Sequence, residues 1–104
     1  MAQTSAQPYP FSATAMEGGG KVSVGTAAVE VTFTMATKQI IITADPVNSG
    51  TLYVGNSNVT SAGANAITYL GPGDSIILDF DDTSVPVYVV ASTSSQNFFK
   101  GALA

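Results

Sequence analysis

Residues 71–91 read GPGDSIILDFDDTSVPVYVVA, and this stretch decides the fold class because apolar residues occupy every second position on both sides of a polar turn. The apolar positions are Ile76, Leu78 and Phe80 before the turn, and Val85, Val87, Val89 and Ala91 after it. Successive side chains of a β-strand point to opposite faces, so a period of two predicts a strand with one face on a core. Turn formers at 71–73 and 81–83 delimit the strands. We therefore expect two consecutive β-strands here.

The same period occurs upstream at residues 29–35, where Val, Val, Phe and Met alternate with polar residues, and it predicts the clearest strand of the chain. Residues 39–44 contain three consecutive isoleucines, a run too β-branched and too short for a helix. We interpret that run as a strand covered on both faces, either near the middle of a sheet or beneath a partner. Turn formers at 45–50, followed by the segment TLYVG at 51–55, predict a hairpin.

A weak strand signal lies at residues 66–70, and residues 97–103 form a final predicted strand. The polar stretch 56–65 is typical of a loop, with a short edge strand around Val59 as an alternative. Together the signals predict about seven or eight short strands, roughly 8 to 12 residues apart, and no helix. That spacing of short strands predicts an all-β fold, an antiparallel β-sandwich of jelly-roll or immunoglobulin-like type. The predicted core takes the apolar face of each strand: Val31, Phe33, Ile40, Ile42, Leu52, Val54, Ile76, Leu78, Val87 and Val89.

Residues 1–20 differ from the rest of the chain, because they are rich in Ala, Ser, Thr and Gln and end in three glycines. This composition predicts a flexible N-terminal arm before a β-sandwich domain at residues 21–104. Within the arm, Tyr9, Pro10 and Phe11 place two aromatic rings around a proline. Aromatic rings are costly to leave in water, so we expect these residues to anchor the arm on a partner. The alternative is that they fold back onto this domain's own core.

Composition narrows the classes of function. The chain has 104 residues, enough for one domain, and only 10% of them are charged, against about 25% in typical soluble domains. Burying neutral hydroxyls and amides costs less than burying ions, so this surface suits a protein packed against others. A net charge of -4 argues against nucleic-acid binding. Without cysteine there is no disulfide, and no apolar run approaches a membrane span of about 20 residues.

Catalysis is not expected, because the chain contains no His, Cys or Arg to activate a nucleophile or transfer a proton. No cofactor or metal is expected either. Asp79, Asp81 and Asp82 form an acidic cluster that could hold calcium, but acidic turns between strands are common and the EF-hand glycine and distal glutamate are missing. A second alternative is a sugar-binding platform of Tyr53, Tyr69 and Tyr88, which requires that they share an exposed face.

Residues 38–103 contain an ordered series of short motifs: an isoleucine-rich strand, a turn with asparagine and glycine (NSG, 48–50), LYVG, LGPGDSI and VYVVAS. In this order they resemble small virion proteins of tailed bacteriophages, which include capsid decoration (cement) proteins and minor head and tail components. The resemblance implies a β-sandwich with a role in the virion. It does not extend to the arm before Lys21.

These observations converge on an assembly protein. We expect a decoration protein, made in the host cytoplasm, that binds the major capsid protein on the outer head surface and bridges capsomers. Many repeated weak contacts on a symmetric shell would hold it there, with self-association into a homotrimer or a dimer. The alternatives are a tail or head-tail connection component of the virion and a carbohydrate-binding β-sandwich module.

Overall fold

The computed structural model describes residues 14–35, 37–80 and 85–104, and all regular structure in these ranges is β-strand. The strands are β1 Met16–Val24, β2 Val29–Glu30, β3 Gln39–Ala44, β4 Leu52–Gly55, β5 Ala66–Leu70, β6 Ser75–Asp79, β7 Tyr88–Ala91 and β8 Gln96–Leu103. Within the described ranges, no helix is long and apolar enough to cross a membrane.

The strands form two four-stranded sheets. Sheet A has the order β1-β8-β3-β6 and sheet B the order β2-β7-β4-β5, and every pairing is antiparallel. The chain passes from one sheet to the other at every connection except β4 to β5. This is the strand order of a jelly roll. The predicted all-β sandwich is confirmed, and of the two predicted types the strand order selects the jelly roll.

The core lies between the sheets, and most of it follows the predicted faces. The predicted residues that are buried are Val31, Ile40, Ile42, Leu52, Val54, Val87 and Val89, whereas Phe33, Ile76 and Leu78 are half-buried against them. Phe98 is absent from the predicted core, although it is the largest fully buried side chain among the residues that the structure describes. Phe98 lies on β8, which pairs with β1 and β3 inside sheet A. Its burial therefore depends on a strand order that alternation does not reveal.

The predicted hairpin at residues 45–50 is wrong. The turn joins β3 in sheet A to β4 in sheet B, so the two strands do not pair. Side-chain contacts hold the turn at the end of the sandwich: the Gln96 side chain accepts hydrogen bonds from the backbone N–H groups of Ser49 and Gly50. Turn-forming residues reverse the chain, but they do not determine which strand becomes its neighbour.

The strand predicted at residues 29–35 is much shorter than expected, because β2 ends at Glu30. One further backbone bond follows, from the Val31 N–H to the Val87 carbonyl at 2.8 Å. Beyond it, the Thr32 carbonyl accepts a hydrogen bond from the Lys100 ammonium at 2.7 Å, so a side chain and not a strand contacts the backbone here. The predicted inward face is correct, since Val31 is buried and Phe33 packs on the core. These residues pack inward without belonging to a paired strand.

The predicted boundary of the arm at residue 20 is also misplaced, because β1 already begins at Met16. Thr14 and Ala15 donate backbone hydrogen bonds to the Ala104 carbonyl, which keeps the chain beside β8 up to its first described residue. The glycines at 18–20 are part of β1 and include a bulge, with Gly20 at a φ of 71°. Glycine composition is typical of linkers, but an available partner strand overrides it.

Candidate functional site

The outward side of sheet A presents an exposed surface with little charge, which we call the A face. One row of cross-strand neighbours runs over all four strands of this face. In this row Gly18 pairs with Gly101, Gly101 pairs with Ile41, and Ile41 pairs with Ile77. The most exposed apolar side chains on this face are Met16 at 80%, Ile77 at 57% and Phe99 at 40%. Because large exposed apolar patches mark contacts with other molecules, we treat the A face as a candidate contact surface.

Polar groups on the A face are mostly paired with one another. The Gln39 amide donates to the Asp79 carboxylate at 2.7 Å, and the hydroxyls of Thr43 and Ser75 lie 3.0 Å apart. Lys21 contacts the buried carboxylate of Asp45 at 3.5 Å. Because these groups have partners within the chain, a surface that covers them loses fewer bonds to water.

The outward side of sheet B carries the three tyrosines, and we call it the tyrosine face. Tyr53 on β4 is the cross-strand partner of Tyr69 on β5, and Tyr88 on β7 is opposite Gly55, two residues further along β4. Tyr69 is 70% exposed and its neighbour Ile67 is 66% exposed. The three tyrosines therefore share one outward face, as the sugar-binding alternative requires, but Tyr53 and Tyr88 are half-buried and only Tyr69 is exposed.

One end of the sandwich is closed by a polar network around Gln96, which is only 3% exposed. Its carbonyl oxygen accepts from Ser49 and Gly50, and its amide donates to the Ser49 hydroxyl and the Ser94 carbonyl. Beside it, Asn48 exchanges two bonds with the Asn97 backbone. All these bonds are satisfied within the chain, so the network fastens loops together and leaves no free group aimed at a ligand.

At the opposite end, Glu17 on β1 holds the segment that follows β2. Its carboxylate accepts bonds from the Thr34 N–H at 3.1 Å, the Thr34 hydroxyl at 2.8 Å and the Met35 N–H at 3.2 Å. The bonds from Thr34, then that from Met35 and the nearby Lys100 ammonium, favour the ionised form and hold the pKa of Glu17 below its ordinary value of 4.5. Gly19 makes room beside it, since a Cβ there would overlap the Lys100 side chain.

We expect Glu17→Gln to destabilise the fold at neutral pH and to have less effect in acid. The pKa of Glu17 is lowered by folding, so its contribution to stability is complete well above pH 4.5 and is lost as pH falls through the folded-state pKa. Urea unfolding midpoints measured across a pH series should therefore converge for the variant and the wild type in acid. Glu30→Gln, at an exposed position on β2, is the control for removing one carboxylate. A difference between the two urea midpoints that stays the same at every pH would contradict a contribution from the ionised Glu17 carboxylate.

The other residues singled out from the sequence are only partly placed. Tyr9, Pro10 and Phe11 lie outside the described residues, as do Asp81 and Asp82. Asp79 ends β6 and accepts a bond from Gln39. In the ranges that the structure describes, no three acidic, histidine or cysteine side chains gather as a metal site would require.

The glycine pair near the β1 edge of the A face, Gly18 and Gly101, is not predicted from the sequence. A signal was available, because Gly101 interrupts a strand-forming stretch, and glycine inside a strand often marks the close approach of another group. The composition of residues 18–20 predicts a flexible joint, and a joint has no strand partner, so the position of Gly18 opposite Gly101 does not follow from the sequence.

Comparison with known proteins gives no relative: no family description, no curated protein and no solved structure matches this chain.

Proposed function

We propose that this chain is a structural protein of a tailed-bacteriophage virion, a capsid decoration protein that binds the major capsid protein on the outer head surface and bridges neighbouring capsomers. The motif order in residues 38–103 supports the virion class. One structural observation supports the bridging role: exposed apolar side chains lie on both outer faces of the same sandwich, including Ile77 on sheet A and Ile67 on sheet B.

A bridging protein needs two separate contact surfaces, and a jelly roll places its two outer faces on opposite sides of one core. The outermost strands of a four-stranded sheet are about 14 Å apart, so each face offers roughly a few hundred Å². A standard stable interface buries about 800 Å² per partner. A single face therefore binds weakly, and repetition over a symmetric shell supplies the remaining affinity through effective concentration.

The tyrosine face is the surface that we assign to the capsid. It combines flat rings with exposed aliphatic groups, such as Tyr69 and Ile67, and aromatic residues are enriched where proteins bind one another. The side chain of Gly63 is only a hydrogen, which allows the loop after β4 to lie against the Tyr53 ring. That contact holds the ring in place before binding, which lowers the entropic cost of association.

We expect Ile67→Lys to lower occupancy on undecorated capsids at least tenfold at a subsaturating concentration, because it places a charge in the apolar contact. Ile67 is 66% exposed, so the fold should survive the change. Copy number per particle, measured on stained gels after sedimentation of the particles, gives the occupancy. Thr26→Lys adds the same charge in the exposed loop after β1 and should bind like wild type. Failure of wild-type protein to bind capsids would contradict the proposed function.

Carbohydrate binding is the second candidate, because Tyr53, Tyr69 and Tyr88 share one face and flat aromatic rings stack on sugars. The two functions use the same surface but different ligands. Titration with soluble polysaccharides, followed through tyrosine fluorescence, separates them: saturable binding that Tyr69→Ser abolishes, without binding to capsids, would replace the decoration proposal.

A further inference from the structure

The two sheets end in four edge strands, and edge strands of soluble proteins normally carry features that prevent pairing with another chain. β2 has two residues, β1 has a bulge and two charged residues, and β5 has a register shift against β4. β6 pairs with β3 in unbroken register, and its only charged residue is the last. In the ranges that the structure describes, no strand pairs with the other side of β6. β6 is therefore the least protected edge of the sandwich.

Backbone hydrogen bonds at the two ends of β6 show which of its peptide groups are unpaired. Before β6, the Ala44 N–H donates to the Asp74 carbonyl at 2.8 Å. After β6, the Phe80 N–H donates to the Lys38 carbonyl at 2.8 Å. Such bonds occur at every second residue of an antiparallel pair, so the even-numbered residues of β6 bond to β3. The N–H and C=O groups that point away from β3 belong to Ser75, Ile77 and Asp79.

The sequence of β6, SIILD, is self-complementary when a second copy runs antiparallel to it with the two Ile77 residues opposite each other. In that register Ser75 of each copy lies opposite Asp79 of the other. The Ile77 pair and both Ser75–Asp79 pairs exchange backbone hydrogen bonds, so every outward N–H and C=O group of the two strands finds a partner.

The apolar side chains of β6 match in the same register. Ile77 is 57% exposed on the A face and stands beside Ile41, so each copy contributes two isoleucines to one cluster at the joint. On the inner side, Ile76 and Leu78 are half-buried against the core. Ile76 of one copy lies opposite Leu78 of the other, and this pairing would extend the core across the joint.

The polar side chains at the ends of β6 are complementary as well. The Ser75 hydroxyl lies 3.0 Å from the Thr43 hydroxyl, and the Asp79 carboxylate accepts a bond from Gln39 at 2.7 Å. A carboxylate has two oxygens and accepts several bonds, so Asp79 can also accept from the Ser75 hydroxyl of the second copy. The charge of Asp79 therefore meets a hydrogen-bond donor in the dimer.

A second copy fits this edge better than the N-terminal residues of the same chain. Residues 1–13 contain no Ile, Leu or Val, so they have no branched aliphatic side chain to place opposite the three consecutive apolar residues of β6. Pro8 and Pro10 also lack the N–H group that an added strand donates.

We infer that two copies of this chain pair through their β6 strands around a two-fold axis at Ile77, which joins their two A sheets into one continuous sheet. The contact is isologous, because the same strand serves both copies. Both tyrosine faces then lie on the same side of the dimer and can bind one shell together, which strengthens attachment. That consequence rests on the proposed function, whereas the dimer needs no capsid.

Sedimentation velocity of the full chain over a concentration series tests the dimer, and wild type should show a reversible monomer–dimer equilibrium. Ile77→Lys places two like charges opposite each other on the axis and should weaken association at least about tenfold. Mixing it with Ile77→Glu should restore a dimer, because opposite charges then meet. Ile67→Lys is the matched control, since Ile67 is a similarly exposed isoleucine on the edge of sheet B, and it should associate like wild type.

Cysteine cross-linking tests the register. The chain has no cysteine, so Ile77→Cys adds a single thiol to each copy. Directly opposite Cα atoms of a hydrogen-bonded antiparallel pair are about 5.5 Å apart, a separation that a disulfide spans. Under mild oxidation, Ile77→Cys should form covalent dimers at least about tenfold faster than Ile67→Cys at the same concentration.

Wild type that stays monomeric at every concentration, wild-type association by Ile77→Lys, or equal cross-linking at the two positions would each overturn the inference. Tyr9→Ala/Phe11→Ala should dimerise like wild type, and a change in either direction would assign the β6 edge to N-terminal residues instead. Wild-type dimers that fail to bind capsids would contradict the proposed function alone, because the dimer is measured without capsids.

Discussion

Replacing Phe98 with alanine is expected to lower the free energy of unfolding by about 4 kcal/mol, the range found for large aromatic truncations in cores. Phe98 is fully buried, and its strand pairs with both β1 and β3, so the cavity left behind opens in the middle of the sandwich. Small domains are stable by only about 5–15 kcal/mol, so this loss removes a large share of the total. Urea denaturation followed by circular dichroism measures it.

Phe99→Ala provides a matched control on the next residue of the same strand. Phe99 points to the A face and is 40% exposed, so its truncation should cost less than about 1 kcal/mol. Equal losses for the two variants would contradict the assignment of faces on β8.

Much of the fold followed from alternation alone. The period of two predicts a core-facing side for Leu52 and Val54 on β4 and for Val87 and Val89 on or next to β7, and all four residues are buried. Burial on one face of a strand is a local property of the sequence, and this is why it could be predicted.

Pairing between strands could not be read in the same way. Residues 45–50 have the composition of a hairpin turn, yet they carry the chain between sheets, since Gln96 lies 46 residues further along and binds the Gly50 N–H. The alternation after Val29 predicted a strand, but sheet pairing ends early. In both cases a distant residue supplies the hydrogen-bond partner, and local patterns contain no record of it.

The candidate surfaces depended on the same long-range register. The three tyrosines were recognised from composition, but their shared face required the pairing of β4 with β5 and β7. The glycine pair of the A face depends on a register that places Gly18, from a segment predicted to be flexible, opposite Gly101. Each surface joins residues that are far apart in sequence. The chemical character of each side chain could therefore be predicted, but the positions of the side chains relative to one another could not.

The polar network around Gln96 shows what joins the two sheets at one end of the sandwich. Gln96 begins β8 in sheet A, and its amide bridges the turn that leads to β4 in sheet B. Two backbone N–H groups share its carbonyl oxygen, at 2.9 Å for Ser49 and 2.8 Å for Gly50. A buried amide with several satisfied bonds rigidifies its surroundings, and removing it leaves its partners without an acceptor.

We therefore expect Gln96→Leu to lower the free energy of unfolding by about 2 kcal/mol, because a leucine of similar size fills the space but accepts no hydrogen bond. Hydrogen exchange should locate the loss, with the Ser49 and Gly50 amides exchanging faster while the amides of β3 keep their protection. Gln39→Leu is the control, since it removes an amide from the outward side of the same sheet that makes a single bond to Asp79. If the Ser49 and Gly50 amides exchange at the wild-type rate in Gln96→Leu, the prediction is wrong. Water would then replace the Gln96 side chain, and the turn between the sheets would keep its shape without that side chain.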